Sequence, residues 1–192
     1  MQTIIGITGT LGAGKGAIVN FLIEKKDFAH YSARSLIIEH IKKRGMPVNR
    51  DSMVVVANDL REKHGPDFIA RELFKRAEKE GKDSVLESLR TSGEINKLRE
   101  VAEEKQLQFF MFGVDADPKT RYERAVKRKS STDNISYKEF LENERREMKG
   151  DDPTKQNLSK CMEMSNHIFY NNGTLKELYE EVEKVLGDMG VE

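Results

Sequence analysis

Gly9-Thr-Leu-Gly-Ala-Gly-Lys15 is the stretch that decides the fold, and Gly16 and Ala17 come directly after it. Its spacing is G-x-x-x-x-G-K. Glycines there let an anion approach the backbone with no side chain between, and successive N–H groups can then line an anion-binding nest. The flanking residues fit that use. Before the loop, Thr3-Ile-Ile-Gly-Ile-Thr8 is β-branched and apolar, as a buried parallel strand is. After it, Ile18, Val19, Leu22 and Ile23 mark one face of a helix from about Lys15 to Lys26. A helix start adds its positive end to the nest, and Lys15 can reach the outer phosphates of a bound nucleotide.

Beyond the loop, strand and helix patterns alternate. Phe28-Ala-His-Tyr31 reads as a second strand, and Ser32 caps a helix through about Arg44. Asp51 reads as the cap of a helix ending at His64. Pro66 is placed in the first turn of the next helix, with Ile69, Leu73 and Ala77 on its apolar face and Lys75–Lys82 as its solvated end. Ser84-Val-Leu-Glu87 is a third strand, and a helix from about Gly93 to Lys105 comes next. Leu107–Val114 is the clearest later strand, and Pro118 opens the helix after it. Ser130–Asn134 has loop chemistry. Helices are predicted at Ser136–Lys149, at about Thr154–Met164 and at Thr174–Leu186, with a last strand at His167–Tyr170. Such alternation predicts βαβ units and a parallel sheet.

Composition excludes several classes. The chain has 192 residues, which suits one domain over 1–192. Lys+Arg and Asp+Glu are both 33, so no general nucleic-acid coat is expected. Cys161 is the lone cysteine, so neither an intrachain disulfide nor a cysteine metal cluster can form, and a buried filler role is expected. Met1–Gly16 has no basic leader and no long apolar run. With no span of about 20 apolar residues either, a cytosolic protein without membrane attachment is expected, and the sequons at Asn134, Asn157 and Asn172 are read as accidental.

The loop, with the segments downstream of it, is similar to the P-loop nucleotide kinases, which include nucleoside monophosphate kinases and dephospho-CoA kinases. The resemblance implies a three-layer α/β/α P-loop nucleoside triphosphate hydrolase fold. It further implies a parallel sheet of about five strands, an acceptor-binding helical region at about 32–80 and a short lid at about 129–136. The donor would be ATP with Mg²⁺, held by Gly9, Thr10, Leu11, Gly12, Ala13, Gly14, Lys15, Gly16 and Ala17. One departure matters: the residue after Lys15 is usually Ser or Thr, whose hydroxyl helps hold the metal, and here it is Gly16.

Glu87-Ser-Leu-Arg90-Thr91 resembles the Asp-Gly-Phe-Pro-Arg-Thr of adenylate kinases, one residue shorter. By that resemblance Glu87 organises the metal through water and Arg90 grips the acceptor. Physically, a carboxylate at the end of a parallel strand faces the ligand crevice, and arginine offers a bidentate fork for phosphate. Arg124 and Arg128 stand at i, i+4 before the lid and resemble the arginines that stabilise the transferring phosphoryl group; Arg145 and Arg146 come after the lid. Ser32, Arg34 and Arg61 fall in the acceptor region, and Arg61 reads equally as a surface ion pair with Asp59 or Glu62 neighbours. The His30-Tyr-Ser-Ala-Arg34 segment lacks the aspartate that dephospho-CoA kinases carry, which argues against strict membership of that branch. Asn171, Asn172 and Gly173 resemble the loop that flanks the adenine, or form a plain turn. His64 and His167 read as ordinary turn and strand residues.

Together these readings predict a kinase acting on a small nucleotide-like acceptor, as monomer or homodimer. The alternative is an ATP-binding regulatory or assembly-factor NTPase with slow hydrolysis.

Overall fold

The computed structural model describes residues 1–128, 136–150 and 155–191. β1 (Thr3–Gly9) is buried along its whole length. It pairs in parallel with β3 (Ser84–Glu87) on one side and β4 (Gln108–Asp115) on the other. β2 (Ala29–Ser32) and β5 (His167–Tyr170) form the edges, giving five parallel strands in the order β2-β3-β1-β4-β5. The crossovers carry helices to both faces, as parallel sheets require.

The alternation of side chains along β1 sorts the two cores. Ile5 and Ile7 face α1 (Lys15–Lys26) and α9 (Leu175–Asp188), with Phe112, Phe169 and Leu186. Phe112 and Phe169 meet edge to face, 5.2 Å between ring centres. Ile4 points the other way, into a core with Leu36, Leu60, Ile69, Leu98 and Cys161. Four helices build that second face: α2 (Ala33–Lys43), α3 (Arg50–His64), α4 (Phe68–Glu80) and α5 (Ser92–Glu104). α8 (Leu158–Glu163) joins them. Cys161 sits inside this core, where burial pushes its thiol up to about 12.

Three local readings are corrected. Asn49, not Asp51, caps α3: its side chain accepts from Ser52 N at 2.9 Å, and Asp51 falls in the first turn. Pro66 precedes α4, whose N-cap is Asp67. The helix expected from about Thr154 shortens to α8, because the Asn157 side chain accepts from Lys160 N at 3.0 Å and fixes the start there; 151–154 lie outside the described residues. α6 (Pro118–Lys127) and α7 (Tyr137–Met148) bracket the expected lid at 129–136. Of that lid only Ser136 is described, as the N-cap of α7 in a capping box with Glu139.

Candidate functional site

In a parallel sheet the C-terminal strand ends share one edge. Gly9, Ser32, Glu87, Asp115 and Tyr170 therefore close the same rim of the molecule. The 9–15 loop rises from its centre. Gly14, left-handed at φ 104°, is the N-cap of α1 and lends it no side-chain cap, and the first turn holds no acidic residue. The leading N–H groups of α1 thus keep their affinity for an anion. Gly12 and Gly14, like Gly9, are required for shape. A Cβ on Gly12 (φ +79°) would sit 2.2 Å from Arg121 O, and one on Gly14 would sit 2.2 Å from Asn171 Nδ2.

Side chains from elsewhere hold the loop. Lys15 Nζ donates to Gly9 O and Thr10 O, both at 2.8 Å. Thr10 Oγ1 donates to Asp115 Oδ1 at 2.7 Å. Asn171 Nδ2 donates to Ala13 O at 2.8 Å. Arg90 Nη1 donates to Gly9 O at 2.9 Å. Burial, with the Arg90 charge next, pulls the Lys15 ammonium down from 10.5 to about 7; Glu87 and Glu147 pull the other way.

The role of Asn171 as a loop support is not legible in the sequence, because its partner Ala13 lies across the fold. Asn171→Ala is expected to leave a buried carbonyl unpaired. That should cost about 1–3 kcal/mol in stability and weaken nucleotide binding, as checked by urea unfolding and ATP titration. An unchanged ATP affinity would show that the loop holds its form without this clamp.

Glu87 ends β3 and meets His30 Nε2 at 3.0 Å. Burial pushes its carboxyl up, but the hydrogen bond and charge of His30, with Lys15 and Arg90, outweigh that and hold it below the usual range. Glu87 is therefore an ionised carboxylate electrostatically coupled to the phosphate loop.

Beside the loop, toward α2 and α3, opens a cleft of about 360 Å³. Arg34, Arg61, Arg90 and Arg128 all line it, together with Leu11 of the loop. All four arginines are candidates by sequence, and the fold brings them to one place. Arg50 joins them, paired with Glu147 of α7, which also lines the cleft. Ile37, Met53 and Val54 form an apolar wall.

Arg61 is not the surface residue that one reading allowed. It is 1% exposed, and its Nε and Nη2 donate to Glu94 Oε1 at 3.2 and 2.9 Å. Glu94 is fully buried, and its other oxygen accepts from Arg90 N at 2.7 Å and Thr91 N at 3.1 Å.

The remaining sequence candidates lie elsewhere. Ser32 is the N-cap of α2 and is not among the residues lining the cleft. Arg124 donates to Asn171 O at 2.7 Å, because its helix turns it toward the end of β5. Asn172 Oδ1 accepts from Asp117 N at 2.8 Å, tying the loops after β4 and β5 together. Gly173 makes room for Glu177, which completes the capping box with Thr174 at the start of α9. Arg145 and Arg146 lie on α7 outside the cleft lining. Arg121 turns inward instead and pairs with Glu144, its Nη2 at 3.0 Å. His64 packs at a tilt against Phe68, and His167 meets Glu181 at 2.8 Å.

A phosphate loop at the centre of this strand order, with an arginine-rich cleft beside it, defines a P-loop protein of the kinase-like fold. The family model described as AAA domain matches residues 8–142. A UPF0200 protein of Methanococcus vannielii is 30% identical over 149 residues, covering 76% of this chain and 77% of its own. One from Pyrococcus horikoshii is 26% identical over 190 residues, 95% of both chains. The chain belongs to the AAA-domain family of P-loop proteins and to the UPF0200 family.

Solved structures share the fold. TT1252 from Thermus thermophilus superposes with a TM-score of 0.59 at 19% identity, covering 98% of both chains. Shikimate kinase from Bacteroides thetaiotaomicron gives 0.55 at 12%, covering 98% of this chain and 99% of its own. Among the described residues no helix is long and apolar enough to cross a membrane.

Proposed function

We propose that this chain is an ATP-dependent phosphotransferase. It moves the γ-phosphoryl group to a small nucleotide-like acceptor, a nucleoside monophosphate or dephospho-CoA. One observation carries the reading: Arg90 lines the cleft and at the same time bonds to Gly9 O of the phosphate loop. A donor on the loop and an acceptor in the cleft are then neighbours through one guanidinium. Phosphoryl transfer asks a protein for this positioning and charge neutralisation.

In this reading Lys15 and the amides of Gly9–Ala17 hold the donor phosphates. Arg128 neutralises the transferring group. Arg124 braces the loop at Asn171 that clamps the phosphate loop. Arg34, Arg61 and Arg90 hold the acceptor, with Ser32 at the rim. Mg²⁺ fits at Glu87, an ionised carboxylate at the strand end, which would hold it through water. Bound there, the metal supplies charge neutralisation at the phosphates.

Coupled ADP release with ATP, Mg²⁺ and a panel of nucleoside monophosphates, deoxynucleoside monophosphates and dephospho-CoA tests this. Release that depends on one acceptor is the expected result. Gly16, with no hydroxyl for a metal, favours a second reading: a regulatory or assembly-factor NTPase. A Cβ there would meet nothing within 4 Å, so the position has room for the missing side chain. Slow release that ignores every acceptor would select that second reading.

A further inference from the structure

Two arginines that line the cleft, Arg50 and Arg61, each keep a buried nitrogen without a hydrogen-bond partner among the described residues, and Arg61 is the one whose fixed position specifies a ligand. Arg61 is buried, and Glu94 takes two of its three guanidinium nitrogens. The third, Nη1, is buried and has no hydrogen-bond partner among the described residues. A buried unpaired donor on a charged group is costly, and a bound anion removes that cost. Glu94 also fixes the guanidinium, because the carboxylate is itself anchored by Arg90 N and Thr91 N. Arg61 is therefore held in place before any ligand arrives.

The charges around it set the kind of anion. Arg50 is compensated by Glu147, and Arg61 by Glu94. Arg34 and Arg90 make no salt bridge among the described residues; Arg90 spends Nη1 on a neutral carbonyl. The cleft lining thus includes two guanidiniums without a salt bridge and two buried, unpaired N–H groups, Arg61 Nη1 and Arg50 Nε. A single carboxylate leaves part of this unmet. A phosphate monoester brings nearly two charges and three acceptor oxygens. The wall of Ile37, Met53 and Val54 adds apolar surface for an organic body attached to it.

We infer that Arg61 is a pre-set receptor for a phosphate monoester group of the acceptor. The inference deepens the phosphotransferase reading and rests on it for the cleft's role as acceptor site.

Direct binding tests it without turnover. Protein saturated with ADP, which occupies the phosphate loop, is titrated with AMP, CMP, GMP and UMP and with the four parent nucleosides. At least one monophosphate should bind, and its nucleoside should bind about a hundredfold more weakly or not at all. Arg61→Lys keeps a cation for Glu94 and removes the guanidinium fork. It should weaken the monophosphate about tenfold to a hundredfold while leaving ADP affinity unchanged.

Circular dichroism and the unfolding midpoint check that this variant is folded. If it is not, Arg34→Met, on the exposed rim of the cleft, should weaken the monophosphate and not the nucleoside. Equal binding of nucleoside and monophosphate, an Arg61→Lys variant that binds like wild type, or no binding by any monophosphate at millimolar concentration overturns the inference. Monophosphate binding without ADP release in the coupled assay would overturn the kinase reading and leave the receptor standing.

Discussion

Lys15→Met is expected to lower nucleotide-dependent turnover by about 10²–10³-fold, the scale set by removing one charged or polar donor from developing negative charge. Methionine keeps most of the length of the side chain and loses the ammonium. It also loses the two bonds that fold the lysine over its own loop, to Gly9 O and Thr10 O. ATP affinity should fall as well, read by titration calorimetry; unchanged affinity and turnover would remove the loop from the mechanism.

The same residue gives a signature in pH. The Lys15 ammonium is pulled down to about 7 by burial and by Arg90. A phosphate beside it favours the charged form and raises that value again. Above pH 7, then, nucleotide binding must take up a proton. Affinity should decline as pH rises past 7, by up to about tenfold per unit. Calorimetry at pH 8 in two buffers of different ionisation enthalpy reads the uptake directly. Identical heats in both buffers would refute it.

Glu94→Ala should be the most destabilising single change in the cleft, about 3–5 kcal/mol by urea unfolding. It leaves the Arg61 charge buried without its partner. It also removes the capping box at the start of α5, worth roughly another 1 kcal/mol. Replacing both partners, as Arg61→Met with Glu94→Leu, should recover much of the loss, since an apolar pair tolerates burial better than half an ion pair. A Glu94→Ala midpoint within about 1 kcal/mol of wild type would mean that water reaches the pair.

The double variant also separates two properties. It should restore stability and still fail to bind a phosphate monoester.

How much of this is legible in the chain itself depends on how local each requirement is. The phosphate loop is legible because its backbone dictates glycine at fixed spacing between a strand and a helix. The sheet is legible because β1 and most of β4 are runs of apolar residues on both faces, as buried parallel strands are. Helix starts are legible where Ser or Thr stands three residues before Glu, as at Ser136 and Thr174.

Glu94 is hidden for a different reason. Thr91 and Glu94 form a capping box by themselves, so nothing local shows that the carboxylate also serves an arginine 33 positions earlier. Glu147 reaches Arg50 across 97 positions and sits in a charged run where any residue looks solvated. Arg124 and Arg128 share a helix face in sequence, yet one turns to the end of β5 and the other to the cleft. Such destinations depend on tertiary packing, which spacing along a helix does not encode.

The bond from Asn171 to Ala13 spans 158 positions. A ribosome making this chain releases the phosphate loop well before the group that clamps it. β1 likewise waits for β3 and β4 before it has neighbours. The nucleotide cradle is thus begun with β1 and completed only when β5 has been made. Until β5 has docked, the emerging phosphate loop lacks the Asn171 clamp, and ATP has a weaker hold with which to stabilise it.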